Sequence, residues 1–307
     1  MISNFKSQIL LFLLLCVSAS PWCAADSPQT GTPRRLLAAD YQKKVIAIVN
    51  EKNEVEWQER IKDIHDVTVL PGGNILFQTD WTTIVEMSPE KGVVWKYDAS
   101  KMNGNAGKKV EVHAFQRLAD GVTMIAESGP GRIIEVDREG KPLKEVKLKL
   151  AKPDPHRDTR LVRKLENGNY LVAHEGEAAV REYDGGGKVV WEHKVGSAVY
   201  SAMRLASGNT LIGCGNGNKV IEVNPAGEVV WKVEKNDLEG ITLAWITMVN
   251  RLSNGNTLIV NCHAGPNNPQ LIEVTPDKKV VWTFKDFERF GNALPVAQVL
   301  DDAKAVR

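Results

Sequence analysis

The sequence predicts an all-β protein, a six-bladed β-propeller in which a C-terminal strand completes the N-terminal blade. One observation is a leucine before a glycine-containing turn, repeated every 40 to 48 residues at Leu70, Leu118, Leu165, Leu205 and Leu252. A second is a later strand of most repeats that ends in Val-Val-Trp, at Trp95, Trp191, Trp231 and Trp282. Four short strands every 40 to 50 residues, separated by tight turns, are typical of propeller blades.

The two ends of the chain complete the count of blades. Segments 35–40, 45–48 and 55–57 match the second, third and fourth strands of a repeat, but no first strand precedes them. Segment 296–302 resembles a first strand, and its Leu300 lies 48 residues after Leu252. We therefore expect the C-terminus to close the ring, which removes two unpaired sheet edges. The propeller is expected over residues 33–302, followed by a short tail at 303–307.

Residues 1–25 have the features of a secretory signal peptide. Lys6 precedes the apolar run 9–17, and small residues at 24–25 fit cleavage before Asp26. An uncleaved anchor helix is the alternative, but the run is short for a membrane span. We expect a secreted or periplasmic protein with no membrane insertion after cleavage, and a monomer.

Composition excludes several classes of partner and cofactor. The formal net charge of +1 over 307 residues argues against a nucleic-acid binder. The chain has no glycine-rich phosphate loop, no His-Glu-x-x-His and no Cys-x-x-Cys pair, so no cofactor and no metal site are predicted. Cleavage would leave Cys214 and Cys262, which either form a disulfide or remain as two buried thiols.

Candidate site residues follow from the register of the repeat. In a propeller the segments that lead into the inner strands meet on one face, around the central channel. The position five residues before each anchoring leucine, counting Leu300 as the sixth, is occupied by His65, His113, Arg160, Tyr200, Thr247 and Pro295. The first four can donate hydrogen bonds or carry charge, and such clusters in clefts are enriched at functional sites. The alternative is that each histidine only bonds the backbone of the next blade.

Other side chains are expected on the same face. The ends of the second strands should contribute Asp40, Asp80, Glu127, His174, Glu175, Asn216 and His263. The repeated tryptophans, Trp57 included, are assigned to packing between blades, whereas Trp81 and Trp245 fall outside that position. His156 could be structural or functional. We predict ligand binding by His65, His113, Arg160, Tyr200, Trp245 and His263.

The repeats resemble those of bacterial PQQ-like propellers and of arylsulfotransferase-like propellers. The phrases that carry the resemblance are Ile221–Trp231 and Asn254–Ile259, and related phrases recur over nearly the whole mature chain. Quinoprotein dehydrogenases of this style have eight blades, a calcium site and often vicinal cysteines, so PQQ binding is not carried over. Arylsulfotransferases use a central histidine as the sulfate carrier, which by resemblance would be His65 or His113, with Arg160 binding sulfate.

Two functions are consistent with the sequence. The first is a binding module that holds a small ligand, a glycan or a protein partner on the loop-rich face at the channel mouth. The alternative is an arylsulfotransferase-like transferase or hydrolase with His65 or His113 as nucleophile or base and Arg160 steadying an anionic group. The repeat explains the strongest features without catalysis, so binding is preferred, and the sequence names no ligand.

Overall fold

The described part of the chain, residues 27–302 of a computed structural model, forms a ring of six antiparallel sheets with no helix. This confirms the predicted six-bladed β-propeller. The predicted signal peptide and the tail at 303–307 lie outside the described residues. Among the residues that are described, no helix is long and apolar enough to cross a membrane.

The strands of the six blades are numbered in chain order, with β1 (Gln29–Gly31) standing before the first blade. Blades one to three contain β2 (Leu36–Asp40), β3 (Val45–Val49), β4 (Val55–Arg60), β5 (Val67–Val69), β6 (Ile75–Gln78), β7 (Thr83–Met87), β8 (Val93–Asp98), β9 (Glu111–Arg117), β10 (Thr123–Ser128), β11 (Arg132–Val136) and β12 (Pro142–Lys147). Blades four to six contain β13 (Val162–Lys164), β14 (Tyr170–His174), β15 (Ala179–Tyr183), β16 (Val189–Lys194), β17 (Ser201–Arg204), β18 (Thr210–Gly213), β19 (Val220–Val223), β20 (Val229–Val233), β21 (Trp245–Arg251), β22 (Thr257–Cys262), β23 (Leu271–Val274) and β24 (Val280–Phe284). The last strand, β25 (Val296–Val299), returns to blade one.

The ring is closed at two places. Strand β25 pairs with β2 from Leu36 opposite Val299 to Ala39 opposite Val296, so the C-terminus supplies the inner strand of blade one as predicted. Strand β1 adds a fifth, outer strand to blade six by pairing with β24. The sequence did not predict β1, which lies before residue 33. Both ends of the described chain are therefore held in sheets at the seam, the place between blades six and one where the ring closes.

The turn that anchors each repeat has the backbone geometry that its sequence predicts. Gly73, Gly121, Gly168, Gly208 and Gly255 all have φ between 83° and 87°. This left-handed region strains residues that carry a Cβ, which is why glycine recurs there.

One set of contacts joins neighbouring blades and explains the repeated residues. In blade two Glu86 accepts hydrogen bonds from Asn74 of the turn at 2.8 Å and from Arg117 of blade three at 2.8 Å. The Arg117 guanidinium lies over the Trp95 ring at 4.8 Å, and the Trp95 indole donates to the Arg138 carbonyl at 2.9 Å. Equivalent sets join the next blades through Glu182, Arg204 and Trp191 and through Glu222, Arg251 and Trp231.

Blade three lacks this tryptophan and uses a tyrosine of the next blade instead. The Tyr170 hydroxyl donates to Glu135 at 2.6 Å, and Lys164 bonds the same carboxylate at 2.6 Å. The apolar core lies between the sheets, where both Cys214 and Cys262 are buried as free thiols. The two cysteines are thus not paired.

Candidate functional site

All six side chains at the repeated position meet in one recess on the channel axis. His65, His113, Arg160, Tyr200, Thr247 and Pro295 line it together with Leu161 and Met248. The recess itself is narrow, with a volume of about 10 Å³, which is room for about one water molecule. The register of the repeat therefore places these residues correctly, while their binding of a ligand stays a prediction.

Two of these side chains reach the axis because of β-bulges. In blade three Ala126 pairs with Ala114 and Glu127 with Val112, so His113 is an extra, unpaired residue of β9. In blade six the register shifts in the same way between Ile246 and Met248, around Thr247. A bulge bends a strand and redirects one side chain, and it is common beside functional sites.

Arg160 forms the centre of the recess and is only 2% exposed. Its Nε donates to Glu175 at 2.6 Å, and a second guanidinium nitrogen pairs with the same carboxylate. Its Nη1 lies 3.4 Å from Nε2 of His113 and 3.5 Å from Nε2 of His65, and the group lies 4.5 Å from the Tyr200 ring centre. The positive charge is therefore balanced by Glu175 inside the protein.

The two axial histidines are held neutral. Desolvation, followed by the charge of Arg160, lowers the pKa of His65 well below its ordinary value. Desolvation also lowers the pKa of His113, to about 4, although its hydrogen bond with Glu111 opposes the shift. His113 Nδ1 lies 2.7 Å from the Thr159 carbonyl, so the expected bond to the backbone of the next blade is present. That contact fixes the ring but leaves Nε2 facing the mouth.

A second cluster lies beside the axis, around Glu111. One carboxylate oxygen of Glu111 is 3.0 Å from His113 Nε2 and 2.7 Å from His156 Nδ1. Desolvation raises the pKa of Glu111, but the hydrogen bonds from the two histidines outweigh it and bring the pKa to about 2. Trp81 packs against this group, with its ring centre 5.6 Å from that of His113 and 5.3 Å from that of His156.

A wider cavity of about 100 Å³ opens next to the axial recess. Its lining includes Tyr41, His65, Tyr200, Trp245, Thr247, Cys262, His263 and Pro295. The Trp245 ring meets Tyr200 edge-on at 5.3 Å, and the Tyr41 hydroxyl lies 2.6 Å from His263 Nε2. The Thr247 hydroxyl is buried and has no hydrogen-bond partner among residues 27–302. All six predicted ligand-binding residues thus line one or both of these adjoining cavities.

Several residues that the sequence places at the rim have structural roles instead. His174 is fully buried inside blade four, where its ring nitrogens lie 2.6 Å from the Asp158 carbonyl and 2.9 Å from the Tyr183 hydroxyl. Glu127 pairs with Arg132 at 2.7 Å and faces the interior. Glu175 and His263 reach the mouth. Glu111 and Tyr41 were not singled out by the sequence.

Recesses wider than those at the mouth lie on the opposite face of the ring, among the anchoring turns. Two of them, of about 620 and 890 Å³, share Gln116 and Arg163 near the axis. Between the faces Arg163 of blade four donates to both carboxylate oxygens of Asp66 of blade two, at 2.7 and 2.8 Å. This ion pair crosses the channel below the histidines. The residues that line these recesses belong to the anchoring turns, whose sequence is explained by hairpin geometry. Nothing in the sequence therefore marks them as a candidate site.

Comparisons with known structures support the fold. A protein of unknown function from Bacteroides caccae superposes with a TM-score of 0.76 at 26% identity, over 86% of this chain and 98% of that one. A streptogramin B lyase matches with a TM-score of 0.56 at 12% identity, over 83% and 84% of the two chains. An inactive histidine-to-alanine variant of virginiamycin B lyase from Staphylococcus aureus, with quinupristin, gives 0.58 at 12% identity over 86% and 88%.

Sequence comparison identifies the family. No curated protein matches the chain. The PQQ-like and arylsulfotransferase-like resemblance is not confirmed. Residues 45–264, more than half of the chain, match the model of a family of propeller proteins. The chain belongs to the Mal s 1 allergenic protein-like family.

Proposed function

We propose that this protein is a binding propeller that holds one end of a small, uncharged, polar ligand of the sugar type at the channel mouth. The observation that carries the proposal is the adjoining pair of cavities, where the repeated inner-strand positions meet an aromatic wall. The unpaired Thr247 hydroxyl at their junction supports it further, because a buried polar group without a partner costs stability. A ligand hydroxyl would satisfy it.

The charges around the mouth support an uncharged ligand. Arg160, the buried cation of the recess, already has Glu175 as its partner. His65 and His113 are neutral because burial lowers their pKa values. A sulfate or phosphate would compete with Glu175 for Arg160, and drawing Arg160 away would leave the buried Glu175 carboxylate with the half-exposed Arg157 alone.

The size of the cavity supports recognition of only part of a ligand. A volume of about 100 Å³ is well below the roughly 300–1,000 Å³ of a pocket that encloses a whole drug-sized molecule. The ligand's remaining atoms would lie against Trp245 and Tyr200, which are partly exposed. Aromatic rings with a polar tip combine apolar contact with hydrogen bonding, which suits the mixed surface of a sugar ring.

An enzyme is the second candidate, and one observation favours it. The virginiamycin B lyase variant that shares this fold is catalytically inactive after replacement of a histidine. In this chain His65 or His113 would act as base, as in the transferase or hydrolase alternative from the sequence. Arg160 is paired with Glu175 through two guanidinium nitrogens, so an anionic substrate would compete with that carboxylate.

The ligand proposal is tested with a panel of monosaccharides and disaccharides, monitored by tryptophan fluorescence and calorimetry. We expect binding by the mature protein, at least tenfold weaker in Trp245→Leu and unchanged in the matched control Trp231→Leu. Trp231 packs between blades over Arg251, away from the mouth. Failure of every sugar to bind, or equal losses in both variants, would refute the proposal. Turnover of an aryl sulfate with a phenol acceptor that is lost in His65→Ala would favour the enzyme.

We also propose that the mature protein begins at Asp26 and acts outside the cytoplasm. The support is the sequence pattern of residues 1–25. N-terminal sequencing of the protein recovered from the periplasm or the medium tests this. A start at Met1 would rule out cleavage.

A further inference from the structure

We propose that Glu111, His113 and His156 bind one divalent transition-metal ion, such as Zn²⁺, beside the channel mouth. Their donor atoms lie within 4.8 Å of one another, and two imidazoles with one carboxylate form a ligand set common for such ions. No short sequence motif contains all three residues. Glu111 and His113 come from β9, whereas His156 comes from the loop between β12 and β13.

The hydrogen bonds of His113 orient its ring so that Nε2 faces Glu111. Its Nδ1 lies 2.7 Å from the Thr159 carbonyl, and because a carbonyl only accepts, Nδ1 carries the hydrogen of that bond. Nε2 then faces the Glu111 carboxylate oxygen 3.0 Å away. A metal ion bound by Nε2 and this oxygen would replace the hydrogen bond between them.

The distances and surroundings fit a metal ion. Bonds of about 2.1 Å at angles between octahedral and tetrahedral place two donor atoms about 2.9–3.4 Å apart. The Glu111 oxygen lies 3.0 and 2.7 Å from the two histidine nitrogens, close to this range. The three donor atoms span up to 4.8 Å, so the half-exposed His156 side chain would rotate toward His113 when one ion binds all three. The bond from His113 to a backbone carbonyl is the outer contact that metal-binding histidines usually make.

Access and charge are also compatible. The Glu111 side chain is 24% exposed and that of His156 is 51% exposed, so an ion can enter from solvent and keep open coordination positions. Arg160 is the nearby cation, but its nitrogen is 3.4 Å from His113 Nε2, longer than a good hydrogen bond, and its charge is balanced by Glu175. Three protein ligands with open positions are typical of sites where a metal binds water or a ligand.

The test measures metal binding by the chelator-treated mature protein, with Zn²⁺, Co²⁺, Mn²⁺ and Ca²⁺ as separate probes in calorimetry. We expect one equivalent of Zn²⁺ or Co²⁺, the latter with visible absorption bands, and weaker binding of Ca²⁺. The variants Glu111→Gln and His156→Ala change partly exposed side chains, so they should fold, and each should weaken Zn²⁺ binding more than tenfold.

His193→Ala is the matched control, because His193 stacks on Trp191 in an outer strand. It should bind Zn²⁺ like the unchanged protein. Absence of stoichiometric Zn²⁺ and Co²⁺ binding would show that the three side chains contact only one another, and equal loss in His193→Ala would place the ion elsewhere. Either result would overturn the inference, and neither depends on whether a sugar binds.

Discussion

The substitution Thr247→Val tests whether an unsatisfied hydroxyl at the channel mouth lowers the stability of the fold and contributes to ligand binding. The Thr247 side chain is 8% exposed and its hydroxyl has no partner among the described residues. An unsatisfied buried hydroxyl costs about 1–3 kcal/mol, and valine has nearly the same shape without it. We therefore expect Thr247→Val to raise the free energy of unfolding by about 1–2 kcal/mol.

Thr123→Val provides a matched control for this change. Thr123 begins β10, is fully buried and also has a hydroxyl without a partner among residues 27–302, but it lies outside both mouth cavities. Both variants should gain stability to a similar extent. Only Thr247→Val should also weaken sugar binding, because only its hydroxyl lines the cavities.

Urea denaturation gives the free energies, and calorimetry gives the melting temperatures. For a domain of this size 1 kcal/mol corresponds to a shift of about 2–4 °C. A Thr247→Val protein that is less stable than the original would mean that the hydroxyl is already satisfied, for example by water. Unchanged sugar affinity in this variant would remove Thr247 from the binding site.

Two further predictions concern stability. Burial lowers the pKa of His174 to about 4, so between about pH 6.5 and pH 4 the unfolded chain binds a proton at this residue that the folded chain does not. His174 should therefore contribute up to about 1.4 kcal/mol per pH unit to the loss of stability on acidification, in addition to the contributions of His65 and His113. Urea midpoints between pH 7.5 and 4.5 measure this, and a slope unchanged in His174→Gln would contradict it. Ala297→Pro should cost at least about 3 kcal/mol, because Ala297 pairs with β2 across the seam. In contrast, Ala206→Pro should leave the urea midpoint nearly unchanged, since Pro71 occupies the same turn position in blade two. Equal losses in the two proline variants would show that the pairing of β25 with β2 does not limit stability.

The sequence predicted the fold and the axial residues for one physical reason. The blades share one strand pattern, so their inner strands begin at the same level along the channel. Residues at the same offset from the anchoring leucine therefore meet at the axis. The offset worked even at His113 and Thr247, although each lies in a bulge that the sequence did not reveal. The closing strand was found in the same way, through the phase of Leu300.

Features outside the repeat were not predictable from the sequence. The contact between Glu111 and His156 depends on the path of the loop after β12, which no periodic pattern specifies. Strand β1 contains only Gln-Thr-Gly, too short and too polar to be recognised. His174 was placed at the rim because it ends a strand, yet its side chain turns into the blade to bond Tyr183.

The closure of the ring by β25 and β1 affects the order in which the blades can fold during synthesis. The partner of Leu36 is Val299, so the first blade has no inner strand until residues 296–299 have left the ribosome. Contacts between such distant residues slow folding, and until they form the edge of β2 is open to pairing with another chain. A chaperone that delays folding would therefore protect the first blade more than the middle ones, whose four strands are consecutive in sequence. Completion of the ring depends on β25, which is synthesised after β1 to β24.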